Sequence, residues 1–216
     1  ESILTHIEKV KKDFLETKSY YFRLRYAYQL IRLAHYAKKY ELTLELYDYL
    51  LPKIDNDPSL IEDWIEGHRA GAMLALGQKV EAAYIFSKIF DQCPSKRESA
   101  FRSFRIETDK EWEACLRLCK SHHEQATLHV LRAQNKNSRL VEEMKNIYRL
   151  DPKNENLEFL LVREIKKLEK DYVGLEFNDK KNHNKRNYKI PRERAAKLII
   201  ELQAFVRDVL KDGDRK

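Results

Sequence analysis

The chain has 216 residues with only five glycines and five prolines, three cysteines, and a formal net charge of +7. Scarce helix breakers in a chain rich in Leu, Ala, Glu, Lys and Arg favour many helices joined by tight turns, and an apolar fraction of 43% is enough for a core, which excludes disorder for most of the chain. No apolar run approaches the roughly 18 residues of a membrane span, and an odd cysteine count excludes a closed disulfide framework, leaving Cys93, Cys115 and Cys119 to read as buried thiols at helix positions.

Apolar residues recur at helical spacing through most of the chain. Ile3, Ile7, Val10 and Phe14 line one face of a first helix within residues 1–18. Tyr20 to Lys38 form a second, strongly aromatic helix, and Tyr40 to Ile54 a third. The segment Asp55-Asn-Asp-Pro58 reads as a turn, with Asp and Asn bonding locally and Pro58 preparing the next helix. Ser59 to Leu76 is the fourth helix, stopped by Gly77, and Val80 to Gln92 is its partner, closed by Pro94. A shorter pair follows, Arg97 to Glu107 and Lys110 to Lys120. His122 to Ala133 and Arg139 to Leu150 make another, ended by Asp151-Pro152, and Asn156 to Tyr172 is a long helix. Gly174 to Ile190 is polar and basic without a period. Pro191 opens a last helix to residue 211, with Ala195, Leu198, Ile199, Leu202, Phe205, Val206 and Val209 on one face. No strand alternation is present, so the expectation is an all-α fold of about 11 helices in one domain over residues 1–216.

A fixed period is sought next, because helix pairs recur. Aligning backward from Pro94 and Pro152 matches Ala70 with Leu128, Ala82 with Leu140, Phe86 with Met144 and Ile89 with Ile147. The units start 58 residues apart, near Asp63 and Ser121, which holds one full repeat of roughly 34 residues and one short one. Asp63 to Lys96 resembles the tetratricopeptide repeat. Ala70 takes the small position of the first helix, Gly77 the turn, Ala82 the small position of the second helix, Phe86 its aromatic knob, and Pro94 the close. Ser121 to Asn154 is similar, with Leu140 where the family has Ala. Leu24 to Asp57 is similar too, with Ile31, Thr43 and Tyr47 in the small, small and aromatic places. The Trp-Leu-Gly-Tyr signature of the family is absent throughout, and the resemblance spans residues 24–172. It implies a right-handed α-solenoid of antiparallel helix pairs. In that frame residues 1–18 look like the second half of a pair, and the apolar face of that helix needs a cover. The native protein is therefore expected to extend toward the N-terminus. The chain begins at Glu1 rather than Met, and no compartment is assigned.

In such arrays the first helices line the concave, ligand-holding surface. The resemblance places there Arg25, Tyr28, Arg32, His35 and Tyr36, then Phe101 and Arg105, then His122, Gln125, His129 and Arg132, then Phe159, Arg163 and Lys166. Gly67, Gly71 and Leu74 of the clearest unit leave a smooth stretch with room for a ligand. Arginine forks beside rings suit carboxylates on a peptide or protein partner. The bland alternative is a solvated helix face with Arg and Lys lying over apolar neighbours. Of the aromatic run, Tyr20, Tyr21, Phe22 and Tyr26 are assigned to the core, and Tyr28 and Tyr36 to the surface.

Residues 180–194 carry +6 through Lys180, Lys181, Lys185, Arg186, Lys189, Arg192 and Arg194 against Glu193, leaving +1 for the rest. Such a loop reads either as an electrostatic tether for nucleic acid or another anionic polymer, or as a solvated connection. No phosphate-cradling Gly-rich loop, Gly-x-Ser-x-Gly elbow or His-Glu-x-x-His motif occurs. Cys115, Cys119, His122 and His123 fit no closed zinc spacing. Glu142 and Glu143 read as surface charge. The expected function is therefore a non-catalytic, cofactor-free scaffold that binds a peptide or protein partner in its concave, basic and aromatic groove, which suits an acidic one, with nucleic-acid or anionic-polymer binding through residues 180–194 as the alternative.

Overall fold

A computed structural model describes residues 3–54, 59–135, 137–170 and 192–213. Among these the fold is all-α, with no strand: α1 (Ile3–Glu16), α2 (Tyr20–Tyr36), α3 (Tyr40–Leu50), α4 (Leu60–Ala75), α5 (Lys79–Gln92), α6 (Arg97–Ser103), α7 (Asp109–Leu118), α8 (His122–Ala133), α9 (Leu140–Leu150), α10 (Asn156–Leu168) and α11 (Arg192–Gly213). Short 3-10 turns at Leu51–Lys53 and Pro94–Lys96 follow α3 and α5. The expected turn at 55–58, the basic segment 174–190 and the opening Pro191 lie outside the described residues. No helix among those described is long and apolar enough to cross a membrane.

Local chemistry accounts for the helix ends. The Ser59 hydroxyl accepts from the Ile61 amide at 3.2 Å and starts α4. Thr108 and Glu111 form a reciprocal capping box that starts α7. That box, with Phe104 extended at ψ 110°, ends α6 at Ser103, so the helix expected to reach Glu107 is shorter. Arg105 consequently sits in the exposed connector and not on a helix face.

Helices α2 and α4 stop in the same way. After α4, Gly77 takes φ 86° while Gln78 N–H donates to Met73 C=O at 2.9 Å. After α2, Lys38 takes φ 58° while Lys39 N–H donates to Ala34 C=O at 3.0 Å. Both are six-to-one closures around a left-handed residue. They lie 39 residues apart, the offset that also relates Ile31 to Ala70, Thr43 to Ala82 and Tyr47 to Phe86. Ile31, Thr43, Ala70, Ala82 and Phe86 are all buried. The Thr43 hydroxyl donates to the Lys39 carbonyl at 2.9 Å, which satisfies the polar group where the second unit has alanine.

The chain divides into two compact units, residues 1–124 and 125–216. In the first, α2 packs on α1, α3 and α4; α4 also packs on α3 and α5; and α5 packs on α6 and α7. Ile7, Phe14, Leu24, Leu30, Ile31, Leu46, Leu50 and Ile65 form one continuous apolar cluster there. In the second unit α9 packs on α10 and α11, with Leu160, Met144, Ile147, Leu202 and Phe205 buried.

Lys38 is a non-glycine residue held at positive φ, a conformation that costs an L side chain roughly 1–2 kcal/mol. Lys38→Gly is expected to stabilise the first unit by up to about 1 kcal/mol, and Gly77→Ala to destabilise it by about 1 kcal/mol. Urea unfolding measures both, and a loss of stability in Lys38→Gly would contradict the left-handed stop.

Candidate functional site

The six candidates Arg25, Tyr28, Arg32, His35, Tyr36 and Arg105 lie in the first unit, and His129, Arg132, Arg163 and Lys166 in the second. Arg105 stands apart on its connector and Arg25 lies over Tyr21 of its own helix, but Tyr28, Arg32, His35 and Tyr36 converge with side chains from α4. His68 of α4 is the centre of the cluster. Its ring lies 5.1 Å from that of His35, 5.6 Å from Tyr36 and 5.8 Å from Tyr28. Tyr28 also meets Trp64 of α4 at 5.7 Å, and His35 meets Tyr40 at 5.8 Å. The Trp64 indole N–H donates to the Ser95 hydroxyl at 3.2 Å. Two cations bracket the rings: Arg32 lies 5.5 Å from the Tyr36 ring centre and Lys96 lies 5.0 Å from that of Trp64.

Packing explains the approach. A methyl group added to Gly71 would stand 2.7 Å from the His35 Cε1, so the His35 ring occupies the space that glycine opens on α4. At Gly67 the neighbour is Ile89 of α5, at 3.8 Å. The smooth stretch expected to leave room for a ligand is therefore filled by side chains of the same unit.

Burial strips water from both imidazoles and disfavours their charged forms. It lowers the His35 pKa, against a hydrogen bond that the ring donates to the His68 backbone carbonyl, which acts the other way. His68 falls to about 4, through burial first and then the positive charges of His35, Lys96 and Arg32. The His35 Nδ1 is buried with no hydrogen-bond partner among the described residues. At neutral pH the cluster is thus a neutral aromatic surface with cations at its edges.

The helix-face assignments of the aromatic run need correction. Tyr36 is exposed, at 68%, as expected, but Tyr28 is half-buried against α4. Tyr21 and Phe22, expected in the core, are 55% and 52% exposed. The buried stripe of α2 is Leu24, Ala27, Leu30, Ile31 and Ala34, and Tyr21 and Phe22 fall off it.

Helix α4 turns a different chemistry to its other side. A cleft of about 620 Å³ between α3, α4 and α5 is lined in part by Tyr47, Asp48, Glu62, Glu66, Arg69 and Tyr84. Tyr47 hydrogen-bonds Glu66, and the Arg69 guanidinium lies 4.4 Å from the Tyr47 ring centre. The first unit therefore mixes carboxylates with rings and a paired arginine on the cleft side of α4, and sets rings with cations against α2 on the other.

In the second unit the candidates are largely engaged within the fold. Glu143, expected at the surface, is buried; its two oxygens meet His129 Nδ1 and Arg132 Nε, each at 2.7 Å. Burial pushes the Glu143 carboxyl up, yet the hydrogen bonds and charges of His129 and Arg132 outweigh it and hold the pKa below its ordinary value. Arg163 donates to the Ala133 carbonyl at 3.1 Å and closes the end of α8. Lys166 alone of the four projects from an exposed position. Lys180, Lys181, Lys185, Arg186 and Lys189 lie outside the described residues.

Cys93 and Cys115 are buried, and Cys119 is half-buried. Burial pushes the Cys115 and Cys119 thiols up to about 12 and 11, away from nucleophilic character. Among the described residues no three His, Cys, Asp or Glu side chains are placed to hold a metal ion.

Trp64, His68 and Lys96 were not singled out from sequence. One available signal was the His68-x-x-Gly71 spacing opposite His35. A second lay in the charge pattern: Thr17 to Tyr40 holds six lysines and arginines and no carboxylate. With another +6 in residues 180–194, the remaining residues carry −5, so +1 outside the basic segment concealed a segregated charge. Comparison with protein families, curated proteins and solved structures found no match for this chain.

His68 is expected to titrate near pH 4 by NMR, and Lys96→Ala to raise that value by removing a positive neighbour. Since its folded pKa lies below its unfolded one, the stability it contributes is complete above about pH 6.5 and is lost as pH falls toward 4. A His68 pKa at the ordinary value would contradict its burial among these rings. In the second unit, Glu143→Ala leaves His129 and Arg132 without their shared carboxylate and is expected to cost roughly 3 kcal/mol. The Glu143 contribution is complete above the ordinary carboxylate range and is lost as pH falls through its lowered value, which acid unfolding of parent and variant would compare.

Proposed function

We propose that the protein is a non-catalytic helical scaffold whose first unit holds an acidic peptide or protein segment on the face shared by α2 and α4. The observation that carries this reading is the ring cluster Tyr28, His35, Tyr36, Trp64 and His68 bracketed by Arg32 and Lys96, whose α2 members lie on a stretch, Thr17 to Tyr40, with no carboxylate. Rings supply rigid apolar contact, and arginine adds charge-assisted hydrogen bonds to carboxylates. Both imidazoles are disfavoured as cations, which suits contact more than proton transfer at neutral pH.

The arrangement we propose is that of tetratricopeptide-like pairs, α2 with α3 and α4 with α5. Their identical left-handed stops at a 39-residue offset support it. So does the packing of α2 on both α3 and α4. In that arrangement α2 and α4 are the first helices of successive pairs, the ones such arrays use to hold ligands.

Trp64 borders the cluster, while the second tryptophan, Trp112, is buried in α7. Indole fluorescence therefore reports the face. Labelled acidic peptides are expected to bind and alter that emission, with the change abolished in Trp64→Phe. The double variant Arg32→Ala, Tyr36→Ala is expected to weaken binding by roughly tenfold. Equal binding of charge-reversed peptides would refute the reading.

A further inference from the structure

We infer that the outer face of α2 receives an acidic amphipathic helix of a protein partner, with carboxylates seven residues apart. This rests on the acidic-partner reading above and specifies the conformation and register of the partner. The exposed residues of α2 are Tyr21, Phe22, Arg25, Gln29, Arg32 and Tyr36. They recur at steps of three and four, which is one continuous helix face. From Tyr21 to Tyr36 the face is about 22 Å long, or four turns.

Its composition is ordered along that length. Tyr21 and Phe22 stand at one end, with ring centres 5.5 Å apart, and Tyr36 at the other. Arg25, Gln29 and Arg32 lie between. Each arginine is held over a terminal ring, Arg25 at 5.1 Å from Tyr21 and Arg32 at 5.5 Å from Tyr36. Arg32 also donates to the Gln29 amide oxygen at 3.3 Å. These contacts narrow the rotamers of both guanidinium groups before any partner arrives, which reduces the entropy lost on binding. Large exposed rings flanking arginines are the side chains that dominate binding energy in protein interfaces.

Charge decides the class of occupant. The neighbouring sequence from Thr17 to Tyr40 holds six cations and no carboxylate. A second copy of the same face would set arginine against arginine, which is unfavourable. An acidic surface is the complement.

Spacing decides its conformation. Arg25 and Arg32 are seven residues apart, about 10.5 Å along the axis. A helix lying along α2 meets both with carboxylates at i and i+7, two turns apart on one face. Apolar residues one turn beyond each carboxylate would meet the Tyr21–Phe22 pair and Tyr36. An extended peptide presents same-face side chains every ~6.7 Å, at about 7 or 13 Å, and matches the pair poorly.

Three labelled probes test this by anisotropy: a 21-residue helix-forming peptide with two glutamates seven apart and leucine or phenylalanine one turn beyond each; an isomer of equal composition with the glutamates two apart; and a single-stranded oligouridylate. The first is expected to bind and to gain helical circular dichroism on binding. Arg25→Ala with Arg32→Ala is expected to weaken it on the order of tenfold. Both arginines are exposed, and unchanged far-ultraviolet dichroism of the variant shows that it is folded. Equal binding of the isomer would overturn the helical register and leave the acidic-partner reading standing. Unchanged affinity in the double variant would move the site off α2. Binding of the oligouridylate alone would overturn both readings, and binding of none of the probes would overturn this inference.

Discussion

The close approach of α2 to α4, with the His35 ring seated against Gly71, is the constraint on which the first unit turns. A side chain at residue 71 would occupy the ring's position. Because the ring sits there, His35, Tyr36 and Tyr28 lie together around His68. Burial of that group removes water from two imidazoles and lowers the pKa of both. A helix–helix contact thus sets the chemistry of a surface as well as its shape.

The same contact separates charge. Helix α4 turns Trp64 and His68 toward α2, and it sends Glu62 and Glu66 to the cleft it shares with α3 and α5. Helix α2 carries arginines and rings and no carboxylate. The unit therefore offers two unlike faces from one layer of helices. In the cleft Glu66 is paired with Arg69 at 3.3 Å, whereas the cations of the outer α2 face have no carboxylate on their own helix. In the second unit the reverse holds: Arg132, His129 and Glu143 satisfy one another inside the fold.

Much of the architecture was legible. Periodicity located α8 at its observed ends, and glycine at 77 marked the stop of α4, because local chain stiffness and hydrogen bonding settle such features. Lys38 shows the limit of that reading. Nothing in a lysine announces positive φ, so α2 was expected to run on to it; the stop arises where the Ala34 carbonyl captures the Lys39 amide. Arg105 was placed on a helix for a similar reason, since the Thr108–Glu111 capping box that starts α7 lies beyond it.

The sequence by itself determined the all-α class, nearly all the helix positions, and a charge pattern that concentrates cations between Thr17 and Tyr40. These follow from local propensity and from composition, which need no knowledge of neighbours. Only the tertiary structure decided what each polar residue does. Arg132 and Arg32 look alike in sequence, each an arginine on a helix. Arg132 is consumed by buried Glu143, and Arg32 stands exposed beside Tyr36. The difference arises from which side chain the next helix sets opposite, a contact made only when the chain folds back on itself and one that no helical period records.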